Sequence, residues 1–263
     1  MLQVNLNNRT ALVTGGARGL GKEFTLALAR SGAKVIFTSR DLNAIKNLEK
    51  EMNSEKLNGF GINLDITKHA SILELQDLID SQKVNIDILV NNAGDTLGID
   101  YNSKIEDWMK VLDLNFLAHV NVSNLLIPKM MIKEWGRIIN ITSIAGLEVS
   151  GPAPFNCAKA ALTAYTRSMG RLLAIENPGI VMTAIAPGIV ATEGGHWEKM
   201  SRKDPTHVED YLKHRAALKR FGTLSEISNA LVFLASDHAS FFHGSIIQID
   251  GGQSRSYFPH TYL

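Results

Sequence analysis

Short runs of β-branched and apolar residues recur along the chain at 10–14, 34–38, 86–90, 137–142, 180–185 and 245–249. Apolar side chains fill these runs with almost no polar alternation, which predicts strands covered on both faces. A further run at 59–64 is interrupted by glycine and fits a strand less closely. Between the runs lie stretches whose apolar positions fall three or four apart, at 20–31, 42–53, 71–81, 105–133 and 158–175, and these predict helices. Strand and helix in steady succession predict a doubly wound parallel sheet of about seven strands, a Rossmann-like α/β fold. No linker rich in proline or serine and no solenoid repeat divides the chain, so residues 1–263 read as a single domain. The least regular stretch is 193–220, rich in charge and histidine, and it reads as part of a variable substrate loop or lid at about 189–221.

Composition narrows the classes of function. The chain is 45% hydrophobic and 20% charged, as expected of a protein with a substantial buried core. A formal net charge of +1 gives no basis for nucleic-acid or anionic-membrane binding. No apolar run is long enough to span a bilayer, and the opening residues lack the pattern of a signal peptide, so a cytoplasmic protein is expected. The single cysteine, Cys157, excludes an intramolecular disulfide and is expected to pack within a helix. The eight histidines are scattered without ligand-like pairing, so no metal site is expected.

The string Thr14-Gly15-Gly16-Ala17-Arg18-Gly19-Leu20-Gly21 leaves the first predicted strand and opens the first predicted helix. Glycine suits such a turn because the backbone must approach a pyrophosphate with no Cβ in the way. The helix that follows directs free N–H groups and its positive dipole end at the phosphates. The next strand leads to Arg40, where an acidic residue would bind the adenosine ribose hydroxyls and favour NAD. A guanidinium there pairs instead with a 2′-phosphate, and Arg18 can approach that phosphate from the other side, so NADP (NADPH) is expected over NAD. Asp41 complicates the reading, since it can neutralise Arg40.

With further strings in the same order, the chain resembles the short-chain dehydrogenase/reductase (SDR) family over nearly its whole length. The glycine string has the family's TGxxxGxG spacing, and Asn91-Asn92-Ala93-Gly94 matches its NNAG string. Asp65 resembles the residue that contacts adenine, and Asn115 the helix asparagine that holds a proton-relay water. Pro187-Gly188 resembles the turn before the substrate loop, Thr192 the threonine at the nicotinamide carboxamide, and Asp250-Gly251-Gly252 the DGG ending. The resemblance implies hydride transfer between a nicotinamide and a small carbonyl or alcohol substrate. In such a site a serine polarises the oxygen, a tyrosine exchanges the proton, and a lysine lowers the tyrosine pKa and holds the ribose. Ser143 fits the serine and Lys159 the lysine. The tyrosine position, one helical turn before the lysine, is Phe155, which has no proton to give. Asn156, Cys157 and Tyr165 do not substitute for it from their places on the helix.

Three explanations fit Phe155: a tyrosine-to-phenylalanine change made to capture substrate, a natural variant with another proton donor, or lapsed chemistry. The alternatives are therefore an NADP-dependent oxidoreductase without its usual general acid and a non-catalytic nucleotide-binding or scaffold protein. Surviving Ser143, Lys159 and Asn115 favour the first. The helices at 105–133 and 158–175 are more apolar than one sheet-facing stripe requires. In the resembled family these helices form subunit contacts, which implies a homodimer or homotetramer.

Overall fold

The computed structural model describes residues 4–81 and 83–254. In chain order the elements are β1 (Thr10–Val13), α1 (Gly19–Arg30), β2 (Lys34–Ser39), α2 (Leu42–Ser54), β3 (Gly59–Asn63), α3 (His69–Ser81) and β4 (Ile88–Asn91). Next come α4 (Ile105–Leu112), a π-helical turn (Asp113–Leu117), α5 (Ala118–Lys133), β5 (Gly136–Ile141), α6 (Ala153–Glu176) and β6 (Ile180–Pro187). The chain closes with α7 (His196–Lys203), α8 (Pro205–Arg215), α9 (Leu224–Leu234) and β7 (Ile246–Ile249).

The strands form one parallel sheet in the order β3-β2-β1-β4-β5-β6-β7. Successive side chains of a strand point to opposite faces, and the core divides accordingly. Val13 and Phe37 pack with Phe24 and Leu231 on the side of α1 and α9. Leu12 and Leu89 pack with Leu75, Val122 and Leu173 on the side of α3, α5 and α6. Burial on both faces explains the continuous apolar runs of β4, β5 and β6. The run at 59–64 is an edge strand covered less completely, and its glycines sit where packing is close: a Cβ on Gly59 would run into the Val35 carbonyl and one on Gly61 into Ile45 Cγ2.

Four local readings change. The helix expected at 105–133 is broken in register by the π turn, within which the Asn115 amide donates from Nδ2 to the carbonyl of Val111. The helix expected at 158–175 begins earlier, at Ala153. Prolines occupy its start without penalty because the first turn's N–H groups have no helical partner. Cys157, expected to pack, is exposed, since Ala158, Lys159 and Leu162 take the inward face. The stretch 193–220 is not irregular: it contains α7 and α8. Asp204 caps α8 by accepting a hydrogen bond from His207 N at 2.9 Å, and Trp197 joins the two helices by packing on Tyr211. These helices bury so little that no apolar stripe marks them. Among the described residues, no helix is long and apolar enough to cross a membrane.

Candidate functional site

The strand order reverses direction between β1 and β4, and the loops leaving these two strands diverge to open a crevice at the sheet's C-terminal edge. Two polar side chains fasten those loops together. Thr14 Oγ1 accepts from Asn92 N and Ala93 N at 2.9 and 3.1 Å, and Asn92 Nδ2 donates to the carbonyls of Thr14 and Gly15. The contact is so close that a Cβ on Gly15, already at φ +62°, would lie 3.0 Å from Ala93 Cα. Glycine is required here on both counts.

A cavity of about 890 Å³ fills the crevice. Gly15, Arg18, Gly19, Leu20, Gly21, Arg40, Asp65, Ala93, Gly94 and Thr192 all line it. Arg18 is the N-cap residue of α1 and its side chain does not cap the helix, so the first N–H groups stay available to an anion. Its guanidinium instead pairs with Asp41. The same carboxylate accepts from Asn43 N and Ala44 N at the start of α2, and these backbone bonds, more than Arg18, hold its pKa below the usual carboxylate range. Asp41 thus engages Arg18 rather than Arg40. The adenosine end fits a dinucleotide: a cradle closed to any Cβ, an uncapped helix start and two guanidiniums at the mouth.

Asn91, Pro187 and Gly188 lie outside the cavity lining. Asn91 is fully buried and donates to Ser123 Oγ and Asn140 Oδ1, tying β4 to α5 and β5. Asn92, its neighbour in the same string, lines the cavity. Pro187 ends β6, and Gly188 packs against Asp250 and Gln253.

Around Gly94 the remaining groups converge. A Cβ on Gly94 would come within 2.6 Å of Asn115 Oδ1 and 3.3 Å of Lys159 Nζ. Asn115 is fixed by donating to the carbonyls of Asp95 and Val111 and accepting from Asp95 N. Lys159 is buried, and its ammonium donates to the carbonyl of Ile141 at 2.8 Å. Burial alone pushes its pKa down to about 7. Phe155, in the first turn of α6, sets its ring centroid 5.6 Å from Lys159 Nζ, on the face the one-turn spacing requires. Ser143 follows β5, half-buried, its Oγ accepting from Ala145 N at 3.1 Å. Ser143, Phe155 and Lys159 fall beyond the cavity lining proper.

One residue here escaped the sequence reading. His119, one turn after Asn115, is completely buried, with no hydrogen-bond partner on either ring nitrogen. Burial first, and the Lys159 charge second, push its pKa down to about 3, while the carbonyl of Ala93 acts weakly in the other direction. Its distance of four residues from Asn115 was the only available signal.

The model of the family described as short chain dehydrogenase matches residues 9–202. The 3-oxoacyl-(acyl-carrier-protein) reductase of Buchnera aphidicola is 34% identical over 255 residues, covering 95% of this chain and 98% of that protein. Among solved structures, a 3-oxoacyl-(acyl-carrier-protein) reductase from Agrobacterium tumefaciens with NADP bound superposes with a TM-score of 0.87 at 27% identity, covering 95% of this chain and 96% of that one. A 7α-hydroxysteroid dehydrogenase complexed with NADH and a 7-oxo bile acid gives 0.86 at 28%, covering 96% and 97%. The fold agrees with these matches, and the chain belongs to the short-chain dehydrogenase family of oxidoreductases.

Proposed function

We propose that this protein is an NADP(H)-dependent oxidoreductase that interconverts a ketone and a secondary alcohol, with Lys159 rather than residue 155 as its nearest proton-holding group. The observation that carries the reading is the convergence of Asn115 and the buried Lys159 on Gly94, at one end of a cavity whose other end is lined by Arg18 and Arg40. Arg18 and Arg40 would hold a 2′-phosphate, the start of α1 the pyrophosphate, Asp65 the adenine side and Lys159 the nicotinamide ribose. NADPH, when bound, supplies the hydride. Ser143 donates its hydroxyl proton in a hydrogen bond to the substrate oxygen, orienting and polarising it. With no hydroxyl on Phe155, the proton comes from Lys159, whose pKa near 7 leaves it able to give and regain a proton at neutral pH.

A 3-oxoacyl thioester is the first substrate to test, given the names of the relatives. Exposed Met109, Leu117, Leu172 and Ile175 on the helices at 105–133 and 153–176 support a homo-oligomer. The second reading, a nucleotide-binding protein without turnover, draws on Phe155 itself. Titration of the protein and its Phe155→Tyr variant with NADPH and NADH, followed by reduction assays over a carbonyl panel, separates the two. We expect both forms to bind NADPH more tightly than NADH, and the variant to turn over about 10²-fold faster or more, the usual effect of a general acid. Cofactor binding by both with turnover by neither would favour the second reading.

A further inference from the structure

We propose that Gln253 is a positioning residue whose amide latches the lid segment 190–222 to the turn after β7, and that this latch gates passage of the cofactor into and out of the crevice. The inference deepens the reading of the crevice as an NADP(H) site and rests on it. The lid leaves and rejoins the body at one place. Val190 pairs with Gly222 in an isolated bridge, and Gly222 N donates to the carbonyl of Ile189 at 2.9 Å. Beyond that root the lid reaches the crevice: Thr192 and Gly195 line the cavity, and a Cβ on Gly19 would lie 3.4 Å from Thr192 Cβ. A dinucleotide lying on the glycine turn therefore passes under the lid.

The string Asp250-Gly251-Gly252, which lines no part of the cofactor crevice, builds the seat of the latch. The Asp250 carboxylate accepts from Gly252 N, Ser254 N and Gln248 Nε2, winding the turn about itself. Gly251 and Gly252 sit at φ +59° and +77°, where a side chain would be strained. The turn buries Gln253 against the lid root. Its Oε1 accepts from Ile189 N at 2.7 Å, and because a backbone N–H can only donate, that bond fixes the orientation of the amide. Nε2 is left to donate to the hydroxyl of Tyr211 at 2.9 Å. Tyr211 belongs to α8, and its ring packs on Trp197 of α7 with centroids 4.5 Å apart. One amide thus holds both the root of the lid and the helix pair that carries on from Gly195.

The latch is placed to act on rates. Among the residues of α7 and α8 only Val208 is buried, so a single hydrogen bond is a large share of what keeps the lid down. Gln253 and Tyr211 lie outside the cavity lining, and their bond is made between protein groups alone. A bond of equal strength with and without nucleotide slows entry and exit by one factor and leaves the equilibrium where it was.

The test uses Tyr211→Phe, which removes one oxygen and keeps the ring on Trp197, together with Gln253→Leu and the double variant. Stopped-flow fluorescence follows NADPH binding and its displacement by excess NADP⁺. We expect association and dissociation rates to rise together by about three- to tenfold, the worth of one hydrogen bond, with Kd unchanged and no further gain in the double variant over Gln253→Leu. Amide hydrogen exchange of the cofactor-free protein should quicken by a similar factor in α7 and α8 and stay as it was in β4 and β5. Unchanged rates overturn the proposal. So does a raised Kd with dissociation alone faster, since that marks lost cofactor contacts rather than a gate. Should Gln253→Leu not fold, Tyr211→Phe decides alone. Should no form bind NADPH, wild type included, the oxidoreductase reading fails, and exchange still decides the latch: it stands if Tyr211→Phe quickens α7 and α8, and falls if they are unchanged.

Discussion

At position 155 a phenylalanine ring lies beside Lys159, and it carries no hydroxyl and so no proton to give. The identity of that residue was plain in the sequence, and so was its consequence for chemistry. What the sequence could not give was the pairing of charges at the cavity mouth. Asp41 follows Arg40 directly, which suggested that those two would interact, but the carboxylate is turned back by its cap on α2 and meets Arg18 instead. Asparagine caps helices as well as aspartate does, so Asp41→Asn should keep α2 while releasing Arg18. We expect NADPH affinity to rise by about two- to five-fold, the range of a single exposed ion pair, with NADH affinity unchanged. Paired fluorescence titrations at fixed ionic strength would show it. Equal gains for both cofactors would mean that Arg18 does not meet the 2′-phosphate.

At the scale of elements, the strands were legible because burial on both faces leaves nothing polar to confuse the pattern. Helices were legible where a single apolar stripe faces the sheet, and not where another interaction sets the geometry. The π turn is such a case: nothing in Asp113-Leu114-Asn115-Phe116-Leu117 signals a wider turn, within which Asn115 bonds the carbonyls of Val111 and Asp95. The amide is therefore structural as well as functional. Asn115→Leu takes the side-chain partner from the Asp95 N–H and the Asp95 carbonyl, and should cost about 2–4 kcal/mol in urea unfolding. A loss below that of an ordinary surface substitution would show that water replaces the amide. Similarly, α7 and α8 went unread because they are held by a few aromatic contacts and a cap rather than by a stripe.

For the whole molecule, two buried bases make stability depend on pH. Lys159 has a folded pKa near 7 against an ordinary value of 10.5, so between those limits the unfolded chain binds more protons and stability falls as pH drops. His119, at about 3 against 6.5, adds a second decline from pH 6.5 toward 3. Wild type and His119→Gln should therefore converge in stability as pH is lowered through that second window, by roughly 1.4 kcal/mol per pH unit at most. Denaturant midpoints taken from pH 7 to pH 4 would measure it, and parallel curves would contradict a neutral buried imidazole.

The cavity takes its walls almost wholly from the first 114 residues and the short stretch 192–195, whereas Ser143, Phe155 and Lys159 come from the intervening chain. The cavity wall and the Ser143–Lys159 pair thus come from different stretches of one polypeptide, and they meet at Gly94, where a Cβ would lie 3.3 Å from Lys159 Nζ. A substitution at Phe155 therefore changes the chemistry beside Lys159 without replacing any residue of the cavity wall.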